Sequence, residues 1–169
     1  MTTAHVALHV SHSQYWISEI NVFPDDFTSD MYTGFNGLIS LPAVTLGSFA
    51  IVMTGTETGN ISVDVDWTDT EPPLDLDAWE EVVEVSMEFE EEPGLVFGPS
   101  GASSEVLPQL ATGWYRIRVH ARGRDEAHTL RTVSDDPVEE HLITAWPAPP
   151  GPEIRHKLTD AYGAEVRAR

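Results

Sequence analysis

The chain has no cysteine, and no lysine or arginine precedes Arg116 in its 169 residues. The first absence excludes disulfides, thiolate metal sites and cysteine nucleophiles. The second leaves residues 1–115 with 19 carboxylates and no basic side chain. Residues 116–169 hold nine groups of each sign, so the whole formal charge of −19 belongs to the first two thirds. No apolar stretch approaches the roughly 18 residues of a membrane-spanning helix, and no basic, apolar leader opens the chain, so a cytoplasmic address is expected. A surface this acidic repels bare nucleic acid and anionic lipid and steers basic proteins toward itself. It also keeps a protein soluble in concentrated or salty surroundings.

Short alternating runs dominate what is present. In AHVALHV, Ala4, Val6, Leu8 and Val10 share one face; in ISVDVDW, Ile61, Val63, Val65 and Trp67 do. VVEVSMEFE places Val83, Val85, Met87 and Phe89 inward and Glu84, Ser86, Glu88 and Glu90 outward, and WYRIRVHAR sets Tyr115, Ile117, Val119 and Ala121 opposite Arg116, Arg118, His120 and Arg122. A period of two is strand periodicity, and it returns every second residue to water. GLISLP and SFAIVMTG read as buried strands, and HLITAWP as a final strand. TETGN reads as a hairpin connection because Gly59-Asn60 tolerates positive φ. PDDFTSDMYTGFNG reads as turns, and DEAHTLRTVSDDPVEE as a loop. About eight or nine short strands at this spacing predict an all-β chain, an antiparallel β-sandwich with minor helical turns. That domain is expected over residues 1–146, followed at 147–169 by a Pro-rich strap, APPGP, and a polar tail able to form a short helix.

From Asp64 to Glu92 there are 13 carboxylates in 29 residues and no cation. The spacing matches no EF-hand loop, and outward strand positions lack the enclosure that a glycosidase acid requires. His5 and His9 lie four apart on a strand, about 13 Å from one another, so no metal site is expected. His120 and His141 would face each other if their strands pair. No nucleophile elbow or phosphate-binding glycine motif occurs, so neither a cofactor nor enzymatic activity is expected. A solvated face partly neutralised by Arg116, Arg118 and Arg122 accounts for some of the acidity, but three arginines do not balance 13 carboxylates. The remainder suits a basic protein partner. The candidate protein-binding residues are Asp64, Asp66, Asp69, Glu71, Asp75, Asp77, Trp79, Glu80, Glu81, Glu84 and Glu88, with Trp67 assigned to the core.

The order of segments resembles that of the competence protein J family, whose members inhibit a nuclease of DNA uptake. The matching stretches are SHSQY (11–15), GLISL (37–41), WEEVVEVSMEF and GWYRIRV (113–119), across roughly residues 5–146. The resemblance implies an all-β inhibitor or immunity-type protein with no catalytic residues. The acidic segment and the Pro-rich C-terminal stretch exceed that pattern. The expected function is occlusion of a basic nuclease or toxin by carboxylates standing where phosphates would. The alternatives are a calcium- or carbohydrate-binding sandwich and an enzyme of unknown chemistry.

Overall fold

The computed structural model describes residues 2–19, 36–42, 49–90, 95–97, 105–106, 111–133 and 135–169. The chain is mostly strand, in two sheets, neither of them closed. The larger sheet runs β1 (Thr2–Val10), β5 (Thr58–Trp67), β11 (Glu140–Pro147), β9 (Gly113–Arg122), β6 (Glu81–Phe89) and β12 (Ile154–Leu158), with β10 (Thr132–Val133) also paired to β5. The smaller runs β3 (Ile39–Ser40), β4 (Phe49–Met53), β2 (Gln14–Ser18), β7 (Leu95–Phe97) and β8 (Glu105–Val106). Two seven-residue helices, α1 (Arg124–Leu130) and α2 (Ala161–Arg167), complete the described elements.

The alternation read from the sequence decides which residues meet. Val6, Leu8 and Val10 of β1, Ile61, Val63 and Val65 of β5, Val83 and Val85 of β6, and Ile117 and Val119 of β9 are all buried. They join Tyr15, Ile17, Ile39, Ala50 and Val52 of the smaller sheet in one apolar cluster, so the two sheets share a core. Trp67 lies in it, edge-on to Tyr115 at 5.8 Å. β2 and β4 are buried at every position, which is why β4, FAIVM, reads as a continuous apolar run rather than an alternating one.

Five expectations change. The larger sheet is not wholly antiparallel, because β11 and β10 both run parallel to β5. Gly59 does not turn a hairpin: β4 and β5 go to different sheets, and Gly59 lies inside β5 at φ 137°, where a Cβ would stand 1.9 Å from the Val133 carbonyl oxygen. It is glycine because β10 approaches there. The stretch 124–130, expected as loop, is α1, which buries Ala127 and Arg124. The segment 147–169, set apart as strap and tail, supplies β12 to the larger sheet; the short helix foreseen in the tail is α2, and its Tyr162 and Val166 are buried. His120 and His141 do not face each other; Leu142 pairs with His120, and Ala121 with His141, so the imidazoles lie on opposite faces. The turns expected at PDDFTSDMYTGFNG lie outside the described residues except at Asn36 and Gly37, and the apolar patch at 95–97 is β7.

Candidate protein-binding surface

The acidic segment between β5 and β6, residues 68–80, has no regular secondary structure, yet it is tied along its length. Thr68 N donates to the Ala145 carbonyl at 2.9 Å. Arg118 Nη1 donates to the Pro72 carbonyl at 3.2 Å, Lys157 Nζ to Leu76 at 2.8 Å, and Arg122 Nη1 to Ala78 at 3.3 Å. At the far end Glu80 N donates to Ala121, and the Glu80 carbonyl accepts from the amide and hydroxyl of Thr159. Trp79 packs on the same face, 5.5 Å from the His120 ring, with the Arg122 guanidinium 4.9 Å above its own.

The pattern separates main chain from side chain. The cations beneath the segment hold its carbonyl oxygens, and apart from Glu71, which Arg118 also binds, its carboxylates are left on the outer side. Asp69, Glu71, Asp75, Asp77 and Glu80 are exposed, and Trp79 is half-buried. Local bonds order some of them: Asp75 Oδ1 accepts from Asp77 N at 3.0 Å, Glu80 Oε2 from Gly123 N at 2.9 Å, and Glu71 Oε1 from Arg118 Nη2 at 2.9 Å. On the neighbouring β5, Asp64 is exposed and paired with His5 at 2.6 Å. Asp66 is half-buried; its Oδ1 and the hydroxyl of Thr144, opposite it across the ladder, are buried without a hydrogen-bond partner. Glu88 is half-buried on β6.

Glu81 and Glu84 lack the exposure expected of protein-binding residues. Glu84 is 4% exposed because Arg116, Arg118 and His156 converge on its carboxylate. Its Oε1 accepts from Arg116 Nε at 2.7 Å, and its Oε2 accepts from Arg118 Nε at 3.0 Å and contacts His156 Nε2 at 2.9 Å. Burial pushes the Glu84 carboxyl up, but hydrogen bonds from His156, Arg116 and Arg118 outweigh that and hold it below its ordinary value. Arg116 also donates to the carbonyls of Gly151 and Pro152, which fastens the Pro-rich segment to the sheet.

Glu81, the first residue of β6, is fully buried. It accepts from Asp160 N at 3.1 Å and from Arg167 Nη1 at 3.0 Å, while Asp160 faces the buried Arg124 at 2.7 Å. Burial and the nearby Asp160 carboxylate raise Glu81 to about 7, against the pull of Arg124 and Arg167. His120, beneath Trp79 and donating Nδ1–H to the Leu142 carbonyl at 2.9 Å, is lowered by burial to about 4 and is neutral at physiological pH.

A third buried set joins the sheets. Tyr15 of β2 bonds His141 Nδ1 at 2.8 Å, His141 Nε2 meets Glu139 Oε1 at 2.8 Å, and Glu139 also accepts from the amides of Gly55 and Thr56. This has the order of a catalytic relay, but Tyr15, His141 and Glu139 are at most 1% exposed, so no substrate reaches them. Burial, then Glu139, raises the Tyr15 phenol well above its ordinary value. The relay is a polar clasp between the sheets.

Residue patterns did not single out the clamping cations. Arg118 and Arg122 were legible as the outer face of β9, but only as balancing charge for the acidic side chains. Lys157, the sole lysine of the chain, was the available signal for the third clamp.

Fold and surface together define a mostly β protein with an externally fastened acidic segment. Among solved structures it is similar to the crystal structure of ComJ, inhibitor of the DNA-degrading activity of NucA, from Bacillus subtilis, with TM-score 0.52 and 14% identity over 88% of this chain and 96% of that one. It is similar as well to the product described as crocagin biosynthetic gene J, with TM-score 0.51 and 12% identity over 88% and 98%. No family model matches the chain. No curated protein matches it. The resemblance read in SHSQY, GLISL, WEEVVEVSMEF and GWYRIRV therefore holds as a resemblance of fold.

Proposed function

We propose that the chain is a non-enzymatic, cytoplasmic protein-binding module on a β-sandwich, which occludes a basic partner such as a nuclease by presenting ordered carboxylates in place of phosphates. The observation that carries the reading is the clamping of residues 68–80 through their carbonyls by Arg118, Arg122 and Lys157, with Asp69, Asp75 and Asp77 facing solvent. Preorganised charge loses less side-chain and loop entropy on association than a mobile acidic tail does. The fold of the ComJ inhibitor supports a nuclease as the class of partner. Asp64 belongs to the surface, whereas Glu81 and Glu84 serve as buried supports for it.

The test is affinity capture by the full chain at low and high salt, followed by a DNA-degradation assay with the captured nuclease. The reading predicts that a basic nuclease is retained at about 50 mM salt, weakens as the Debye length shrinks, and is inhibited. Replacing Asp64, Asp69, Asp75 and Asp77 by Asn is expected to abolish that inhibition while leaving the melting temperature unchanged. Full inhibition by this variant would refute the reading.

A further inference from the structure

The turn joining β1 to β2 holds two consecutive non-glycine residues in the left-handed region, His12 at φ 56° and Ser13 at φ 57°. A two-residue turn with both φ positive favours Asn-Gly, and side chains with a Cβ adopt it at a cost. The surroundings enforce it: Ser11 bridges to Gln14, Ser13 N donates to the Glu57 carbonyl at 3.1 Å, and Thr54 N donates to the Ser13 carbonyl at 2.9 Å. Strain of this kind gathers at ligand sites. Here it borders a cavity of about 230 Å³ lined by His12, Ser13, Met53, His128, Tyr162 and Arg169.

The lining runs against the charge of the rest of the molecule. It brings two imidazoles, a hydroxyl, a phenol and a guanidinium together in a protein of net charge −19. The Tyr162 ring lies 4.6 Å from that of His128 and has the buried Arg124 guanidinium over it, 4.9 Å from its centroid. Burial raises the Tyr162 phenol, which keeps it a hydroxyl donor at neutral pH. The exposed Glu165 contacts His128 at 3.6 Å and accepts from Arg169 Nη2 at 3.1 Å, so an incoming anion competes with that carboxylate for these two groups. Among the described residues no cluster of His, Asp or Glu is able to hold a metal ion, and Arg169 opposes a cation in any case.

We infer that this cavity binds the dianionic phosphate group of a small molecule, either free phosphate or a phosphomonoester, held by Arg169, His128, His12 and the Ser13 hydroxyl. A guanidinium and adjacent N–H and O–H donors match the oxygens of such a group, and the volume leaves room for a short organic tail beyond a single phosphate. The site is independent of the acidic segment and of its partner.

The experiment follows the histidine ring resonances of the full chain at pH 7 during titration with inorganic phosphate, with ribose 5-phosphate and, at matched ionic strength, with potassium chloride. Saturating shifts at His12 and His128 with either phosphate, absent with chloride, are expected; tighter binding of ribose 5-phosphate assigns the monoester, and equal or weaker binding assigns free phosphate. Arg169→Ala, at an exposed position, is expected to weaken binding at least tenfold with an unchanged circular dichroism spectrum. His12→Asn, which suits positive φ better, is expected to raise the melting temperature while weakening phosphate binding. Shifts that do not saturate, or that match those with chloride, would overturn the inference, as would equal affinity in Arg169→Ala.

Discussion

Two buried groups on β6 and β9 give the fold opposite responses to pH, and removing either exposes the other. His120 is lowered to about 4 from 6.5, so between those values the unfolded chain binds a proton that the folded chain refuses. Stability from this group therefore rises as pH rises through the window. Glu81 is raised to about 7 from 4.5, so there the folded chain holds a proton that the unfolded chain releases, and stability falls as pH rises. Each slope approaches about 1.4 kcal/mol per pH unit midway through its window. The two nearly cancel between pH 5 and 6.5, and the natural chain should show an almost flat unfolding free energy there. In His120→Gln the Glu81 slope remains, and stability should fall by about 1.5–2 kcal/mol from pH 5 to 6.5. In Glu81→Gln it should rise by a similar amount. Urea unfolding of the three proteins at pH 5, 5.75 and 6.5 measures this directly. Identical pH dependence in all three would refute the opposed titrations.

Two further outcomes follow from the buried polar sets. Glu84→Gln leaves Arg116 and Arg118 short of their shared carboxylate and should cost about 3 kcal/mol by denaturant unfolding, the low end for a broken buried pair because carbonyls of Pro72, Gly151 and Pro152 still hold the guanidiniums. The natural chain should lose the same support as pH falls below about 4.5 through the lowered Glu84 value. Tyr15→Phe strands His141 Nδ1 in the core and should cost about 1–3 kcal/mol in the same assay, with the spectrum of a folded β protein retained.

The strands were legible wherever one face meets the core and the other meets water, as in ISVDVDW and WYRIRVHAR. Legibility failed where a second layer covers the outer face. Glu84 follows the alternation of β6 faithfully, yet Arg116, Arg118 and His156 gather on its carboxylate beneath the carbonyls of Pro72, Gly151 and Pro152, and a period of two says nothing about such a cover. Gly59 carried a turn-like signature for a different reason, the approach of β10. Arg124, which no side-chain pattern singles out, is fully buried against Asp160 at the start of α2, a contact 36 residues distant in sequence. At the candidate surface the excess of carboxylates was plain from composition. Its fastening by carbonyl contacts was not, because main-chain acceptors leave no mark on side-chain identity.

Lys157→Met decides between ordered charge and charge alone. The change removes the clamp on the Leu76 carbonyl and makes the chain one unit more acidic, leaving every carboxylate of residues 64–80 in place. Measured as the affinity for the captured basic nuclease at fixed low salt, the account predicts weaker binding than that of the natural chain. Binding as tight or tighter would contradict it.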